Sequence, residues 1–240
     1  MDTTISSPSC SQCQARQHCL SARLEGEALA RYEQMVCFYN VPRQTRLFAR
    51  SAPLTQLYSV RQGQFKTEGR TPSGASQVTG WYLPGQMLGL DALADGHHVS
   101  DAIALADSAV CAIPYQALAT AMAADPALMG QFHHLVGEEL VRRQSAMLML
   151  GSARAPQRMA SFLLELARQQ SRGQEKALRL CMPREDISSY LGLAVESVSR
   201  LLSRFREEGL ITVSNRAISL LDVPRLRQLA SPASEDETLA

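Results

Sequence analysis

The sequence predicts an α+β protein: a domain of short antiparallel strands, then one long helix, then a helix-turn-helix followed by a hairpin. Three observations carry this. Seven of the 14 glycines fall between Gly63 and Gly96, at intervals of four to seven residues, with strand-like segments between them. No proline interrupts the stretch from Ala127 to Ala155. Residues 183–209 place two apolar stripes of helical spacing on either side of Gly192.

Composition bounds the class before any motif does. The 240 residues are 45% hydrophobic and 20% charged, enough apolar material for one or two cores. The net charge is +1, so nucleic-acid binding cannot be read from bulk charge and must rest on a local motif. "MDTTISSPS" has neither a basic nor an apolar signal region, which points to a cytoplasmic protein. The uncharged run from Thr71 to Leu90 is broken by Pro72, Gly74, Gly80, Pro84 and Gly85, so no membrane span is expected.

The elements follow in order. The first 20 residues are polar and hold Cys10, Cys13 and Cys19. They read as an arm held by whatever the cysteines bind. Residues 25–35 have helix-forming composition. "QLYSV", "QVTGWYL" and "AVCAIP" are strand segments, and their turn spacing suits an antiparallel barrel or sandwich. Asp125 is a candidate N-cap with Pro126 at the first helical position. The helix that follows carries Leu128, Phe132, Leu135, Leu140, Met147 and Leu150 at rough helical spacing, and 25 residues would make a rod of about 37 Å. A rod of that length is expected to need a second chain over its apolar side. "SARAP" ends it, and a further helix carries Met159, Phe162, Leu163 and Leu166 on one side. Residues 171–176 read as a polar loop.

The thiols leave several chemistries open. In a reducing compartment, clustered cysteines are metal ligands or redox groups more often than disulfides. Zinc could take four thiolates, or three with His18. A redox CxxC would need Cys10 and Cys13 to open a helix after a strand, and "ISSPSC" is no such strand. Cys37 in "MVCFYNV" and Cys181 in "LRLCMP" read as structural, Cys37 as core. His97 and His98 read as neutral turn histidines.

The sharpest signal lies at 183–220. Pro183 opens a helix with Glu185 and Asp186 in its first turn, and Ile187, Tyr190 and Leu191 form its apolar side. A second helix from about Val195 to Glu208 buries Val198, Leu201, Leu202 and Phe205, and Gly209 stops it. Two β-rich segments flank Ser214, Asn215 and Arg216, which makes a wing. Helix-turn-helix plus wing is a DNA-binding module. Glu196, Ser199 and Arg200 share one polar face of the second helix. Arg suits guanine, Glu suits cytosine, and Ser is permissive. Arg204 and Arg206 are placed for phosphates.

Together these parts resemble the FNR-type (fumarate and nitrate reduction) regulators of the cAMP receptor protein superfamily. The likeness rests on the Cys10, Cys13, Cys19 spacing, "TGWYLPGQMLGLDALADGHH", "SAVCAIP" and "DISSYLGLAVESVSRLLSRF". It implies a cyclic-nucleotide-binding-like β-roll, a long dimerisation helix and a C-terminal winged helix-turn-helix. The implied division is a cysteine arm at 1–21, β-roll at 22–125, dimerisation helix at 126–153, winged helix at 154–228 and flexible tail at 229–240. It implies an oxygen-labile [4Fe-4S] cluster on Cys10, Cys13, Cys19 and, from the β-roll, Cys111. It further implies a non-enzymatic homodimer, active without oxygen, that reads TTGAT–N4–ATCAA double-stranded DNA through Glu196, Ser199 and Arg200 and contacts RNA polymerase. The dimer surface falls on Leu135, Leu140, Arg142, Ser145, Met147 and Leu150. A regulator with structural zinc and a small-molecule ligand in the β-roll is the alternative.

Three departures from the family pattern stand out. Val99 replaces the arginine that holds a cyclic phosphate, although Ser100 is present. Residues 71–77 lack the acid often presented to RNA polymerase. Ser145 replaces an acid that repels its mate, and Arg142 is expected to face its own mate and supply that repulsion instead.

Overall fold

The computed structural model describes residues 9–170, 177–214 and 217–231. The chain forms two compact units, Met1–Arg142 and Arg143–Ala240.

The first unit begins with two 3-10 turns, Cys10–Gln12 and Arg16–His18, and helix α1, Gly26–Met35. Eight strands follow: β1 Cys37–Val41, β2 Arg46–Phe48, β3 Gln56–Gln62, β4 Phe65–Arg70, β5 Ser76–Tyr82, β6 Met87–Leu88, β7 Asp101–Ala104 and β8 Ser108–Pro114. They make two four-stranded sheets, ordered β1-β8-β3-β6 and β2-β7-β4-β5, with every pairing antiparallel. These antiparallel sheets follow the glycine spacing, and their form is the β-roll that the resemblance implies.

Strand β8 explains why "AVCAIP" is almost wholly apolar. Side chains alternate across a strand. Val110 enters the core between the sheets, with Val60, Phe65 and Tyr82. Cys111 and Ile113 face the other way, into a second core with Leu20, Leu24, Tyr32 and Leu57. Both faces of β8 are therefore buried. The arm has its own seat on that outer face: Leu20 and Leu24 are buried, and their burial contributes about 3–6 kcal/mol. Cys37 departs from the expected core position. It opens β1 and is exposed, because a strand end has nothing stacked on it.

Two helices follow β8: α2, Tyr115–Ala124, which the sequence reading omits, and α3, Pro126–Ser152. Asp125 caps α3 as expected, its Oδ1 accepting from the N–H of Ala127 at 2.9 Å and of Leu128 at 3.2 Å.

The second unit contains α4 Ala155–Gln170, β9 Ala177–Arg179, α5 Arg184–Leu191, α6 Val195–Glu207, β10 Ile211–Ser214, β11 Ala217–Leu220 and α7 Val223–Ala230. Met159, Phe162, Leu163 and Leu166 of α4 are all buried, as their spacing predicts. Gly192 closes α5 in the left-handed region at φ 61°, which a side chain would resist. Beyond α6, Leu210 N–H donates to Phe205 and Gly209 N–H to Arg206, a Schellman close. The wing strands β10 and β11 pair antiparallel, and β9 adds a third strand on β11. The wing tip at 215–216, the expected loop at 171–176 and residues 232–240 of the expected tail lie outside the described residues. Residues 229–230 are not tail: α7, capped by Asp222, runs through Ala230.

Candidate functional site

Cys10, Cys13, Cys19 and Cys111 line one small pocket with Ser21, Tyr32, Ser59 and Arg61. Each wall has a local cause. Glu33 of α1 accepts from Cys10 N–H at 2.6 Å and from Ser9 Oγ at 3.0 Å, which seats the first turn. Gly85 sits at φ 97°, and a Cβ there would meet His18 Cβ at 2.6 Å, so the 83–86 turn closes directly on the arm. On the sheet, Phe38, Cys111 and Ser59 lie side by side across β1, β8 and β3. A bulge between Val60 and Gln62 aims Arg61 beside them.

Burial dominates the chemistry of the thiols. It pushes Cys10 up to about 11 and Cys111 up to about 12, and it raises Cys19. Tyr32 is raised well above its usual range, first by burial and then by the four thiols around it. A metal must therefore displace protons to bind here. As folded, the pocket holds about 10 Å³, about one water. Among the described residues, no three His, Cys, Asp or Glu side chains converge on one ion. The donor set is nonetheless one of soft thiols, as iron–sulfur or zinc chemistry requires. Arg16 Nε and Arg61 Nη1 are buried nearby without a hydrogen-bond partner among the described residues. These positive, unanswered N–H groups fit an anionic thiolate centre. A larger group needs the arm to shift outward. His18 is exposed and outside the pocket lining, so three thiols with His18 do not come together.

The loop at 97–100 is shut by an internal acid. Asp91 accepts from Val99 N–H (3.0 Å), Ser100 N–H (3.2 Å) and Ser100 Oγ (2.9 Å), with His98 Nδ1 at 3.2 Å. Burial opposes the charge of Asp91, but the hydrogen bonds from His98 and Ser100 outweigh it and hold the carboxyl below its ordinary value. His98 is buried and stacks on Phe48 at 3.8 Å, a structural role. Val99 is exposed.

On α3 the dimerisation candidates separate. Leu135 is only 6% exposed and belongs to the core of its own unit, so it is spent there. Leu140 and Met147 are exposed, and so are Val141 and Leu148, at 62–69%. They form an apolar stripe at seven-residue spacing. Ser145 is exposed and Leu150 half-buried. Arg142 is engaged within its own chain. Its Nη2 lies 2.8 Å from Glu139 Oε2, and its guanidinium lies over the Tyr82 ring at 5.6 Å. Glu139 is buried and also accepts from Tyr82 Oη at 2.8 Å. An arginine committed to a buried carboxylate is no free charge for a mate.

On α6, Glu196 and Arg200 are exposed and Ser199 half-exposed on one face, while Val198, Leu202 and Phe205 are buried opposite. Tyr190 and Leu201, expected to be buried, are only half-buried. Arg184 donates from Nη1 to Ser199 Oγ at 2.9 Å. Arg204 pairs with Glu208 at 2.6 Å, and Arg206 is exposed. Arg158 ties the end of α3 to this module, donating to the carbonyls of Leu150 (2.8 Å), Ala153 (2.8 Å) and Leu191 (2.9 Å). Sequence reasoning missed Glu33, Arg61, Asp91 and Arg158, because each acts through a partner outside its own element.

A β-roll, a long helix with an exposed apolar stripe and a winged helix-turn-helix define a DNA-binding transcription regulator. Residues 39–125 match the family described as cyclic nucleotide-binding domain, and 157–229 the Crp-like helix-turn-helix domain. The transcriptional regulatory protein btr of Bordetella pertussis is 37% identical over 94% of each chain. The fumarate and nitrate reduction regulatory protein of Escherichia coli K12 is 35% identical over 92% of this chain and 90% of its own. The solved structure of FixK2 from Bradyrhizobium japonicum superposes with a TM-score of 0.76 at 28% identity, covering 83% of this chain and 99% of that one. The chain belongs to the Crp/FNR family of transcription regulators, on its FNR-like side. The family consists of regulators and not enzymes, and its helix-turn-helix implies DNA binding and dimerisation. No helix among the described residues is long and apolar enough to cross a membrane.

Proposed function

We propose that this regulator senses oxygen in the cytoplasm through a [4Fe-4S] cluster held by Cys10, Cys13, Cys19 and Cys111. The observation that carries the proposal is that thiols from the arm and from β8 line a single pocket. When bound, the cluster supplies an oxygen-sensitive cross-link between arm and sheet. The remaining steps belong to the chain. Leu20 and Leu24 share a core with Leu128, Phe132 and Leu135 of α3. Gln131 of α3 donates from Nε2 to the Cys19 carbonyl at 3.2 Å. A seated arm therefore orders the first turns of α3, whose later turns carry the exposed stripe. Dimerisation over Leu140, Met147 and the half-buried Leu150, with Ser145 beside them, sets two α6 helices about 34 Å apart, one DNA turn. Glu196, Ser199 and Arg200 then read TTGAT–N4–ATCAA-like half-sites, Arg204 and Arg206 hold phosphates, and RNA polymerase is the partner at the promoter.

A cyclic nucleotide is disfavoured as the signal. Asp91 already takes the Val99 and Ser100 donors, and no guanidinium stands at Val99 to answer a phosphate. The test is anaerobic purification with iron and sulfide assays, followed by air. A visible band that bleaches together with loss of TTGAT–N4–ATCAA binding is expected. Zinc without sulfide overturns the proposal and favours a ligand-controlled regulator with structural zinc.

A further inference from the structure

The geometry points to Arg16 and Arg61 as the paired counter-charges of the thiol pocket, which retain an anionic thiolate centre there; this rests on the cluster reading above.

One guanidinium lines the pocket, and a second lies on the arm between two of its thiols. Arg61 comes from the sheet, at the bulge in β3, and lines the pocket beside Cys111. Its guanidinium lies over the Phe38 ring at 5.3 Å, and Phe38 is the cross-strand neighbour of Cys111. The ring holds the side chain in place, and the guanidinium also hydrogen-bonds the Cys111 side chain. Arg16 comes from the arm, in the turn between Cys13 and Cys19. Its Nη2 donates to the Leu24 carbonyl at 2.7 Å, which anchors it against a buried residue. Its backbone is tied to the same site, the Arg16 carbonyl accepting from Cys19 Sγ at 3.2 Å. Each arginine is thus fixed through one part of its guanidinium while another buried nitrogen, Arg16 Nε or Arg61 Nη1, has no partner among the described residues.

A buried N–H left unanswered is unfavourable, and more so on a charged group. Two such groups around four neutral thiols are unfavourable as folded. The balance reverses once the thiols are deprotonated, because four thiolates outweigh the two positive charges of a [4Fe-4S] core. The surplus is two negative charges, matched by two arginines. Arg61 is pre-set on the sheet, Arg16 moves with the arm that carries three of the thiols, and the partly dry surroundings strengthen the attraction. The arm and the sheet supply one charge each, so release of the arm removes Arg16 from the site together with three of its ligands.

The experiment uses the full chain, loaded anaerobically, as wild type, Arg16→Gln, Arg61→Gln and Arg61→Lys. The readouts are iron and sulfide content and the half-life of the visible absorption under an anaerobic chelator. Circular dichroism checks the fold. Arg61→Gln and Arg16→Gln are each expected to shorten the half-life about tenfold, and Arg61→Lys to stay within about twofold of wild type. Wild-type half-lives in both Gln variants overturn the inference. So does an Arg61→Lys half-life as short as that of Arg61→Gln, since charge would then not be the operative property. If Arg61→Gln misfolds, Arg16→Gln decides alone, and a wild-type half-life in it overturns the inference. Wild-type protein with no sulfide sinks the cluster reading itself, a result distinct from either.

Discussion

Arg142→Leu separates two views of the long helix. As a repulsive brake, Arg142 should yield a tighter dimer when removed. The structure assigns the opposite sign. Arg142 answers Glu139, whose side chain is only 9% exposed, across 2.8 Å. Breaking a buried pair by removing one partner costs about 3–5 kcal/mol. Here Tyr82 still donates to Oε1 and Arg142 is 25% exposed, so the cost falls to about 2 kcal/mol. With an m-value of about 2 kcal/mol/M, the urea midpoint of the first unit should drop by about 1 M. Trp81 is the single tryptophan, buried in that unit, so its fluorescence reports this transition alone. Adding Glu139→Gln to Arg142→Leu should recover more than half of the loss, because a neutral amide needs no counter-charge. An unchanged Trp81 midpoint, with tighter self-association in sedimentation equilibrium, would refute the reasoning.

Four further outcomes are expected. Leu140→Glu with Met147→Glu should weaken self-association at least about a hundredfold, since each apolar side chain is used twice in a symmetric dimer; sedimentation equilibrium measures it. Cys111→Ser should abolish iron and sulfide loading, whereas Cys37→Ser, on the exposed strand end, should load as wild type. Arg200→Ala should cost about 1–3 kcal/mol of specific DNA binding and relax base preference at one position, read by competition binding. Asp91 has a lowered pKa, so its stabilisation is full above the ordinary carboxylate value and is lost as pH falls below it. Asp91→Asn should therefore lower the stability reported by Trp81 by about 1–3 kcal/mol near neutrality and flatten its fall below pH about 4.

Local chemistry made much of this molecule legible. The Schellman close at Gly209, the left-handed Gly192 and the Asp125 cap are rules of a few adjacent residues, and each appears where its residue stands. The alternation in "AVCAIP" likewise fixes which way Cys111 points once β8 exists. Short elements escaped notice: β9 has three residues, too few to show a period, and only pairing with β11 makes it a strand. Helix α2 is nearly all alanine and other good helix formers, and it lacked a polar face to mark it.

By itself the sequence determined the order of parts, the thiol count and the polar face of the reading helix, because these depend on spacing within one element. Tertiary structure decided which groups meet. Leu135 and Leu140 look alike in the sequence, yet one is core and the other exposed. Arg142 looked free until Glu139 and Tyr82 closed on it. Arg61 had no role until a bulge set it beside Cys111. The physical reason is common to all three: burial and charge act through space, and a linear pattern does not carry the distances that decide them.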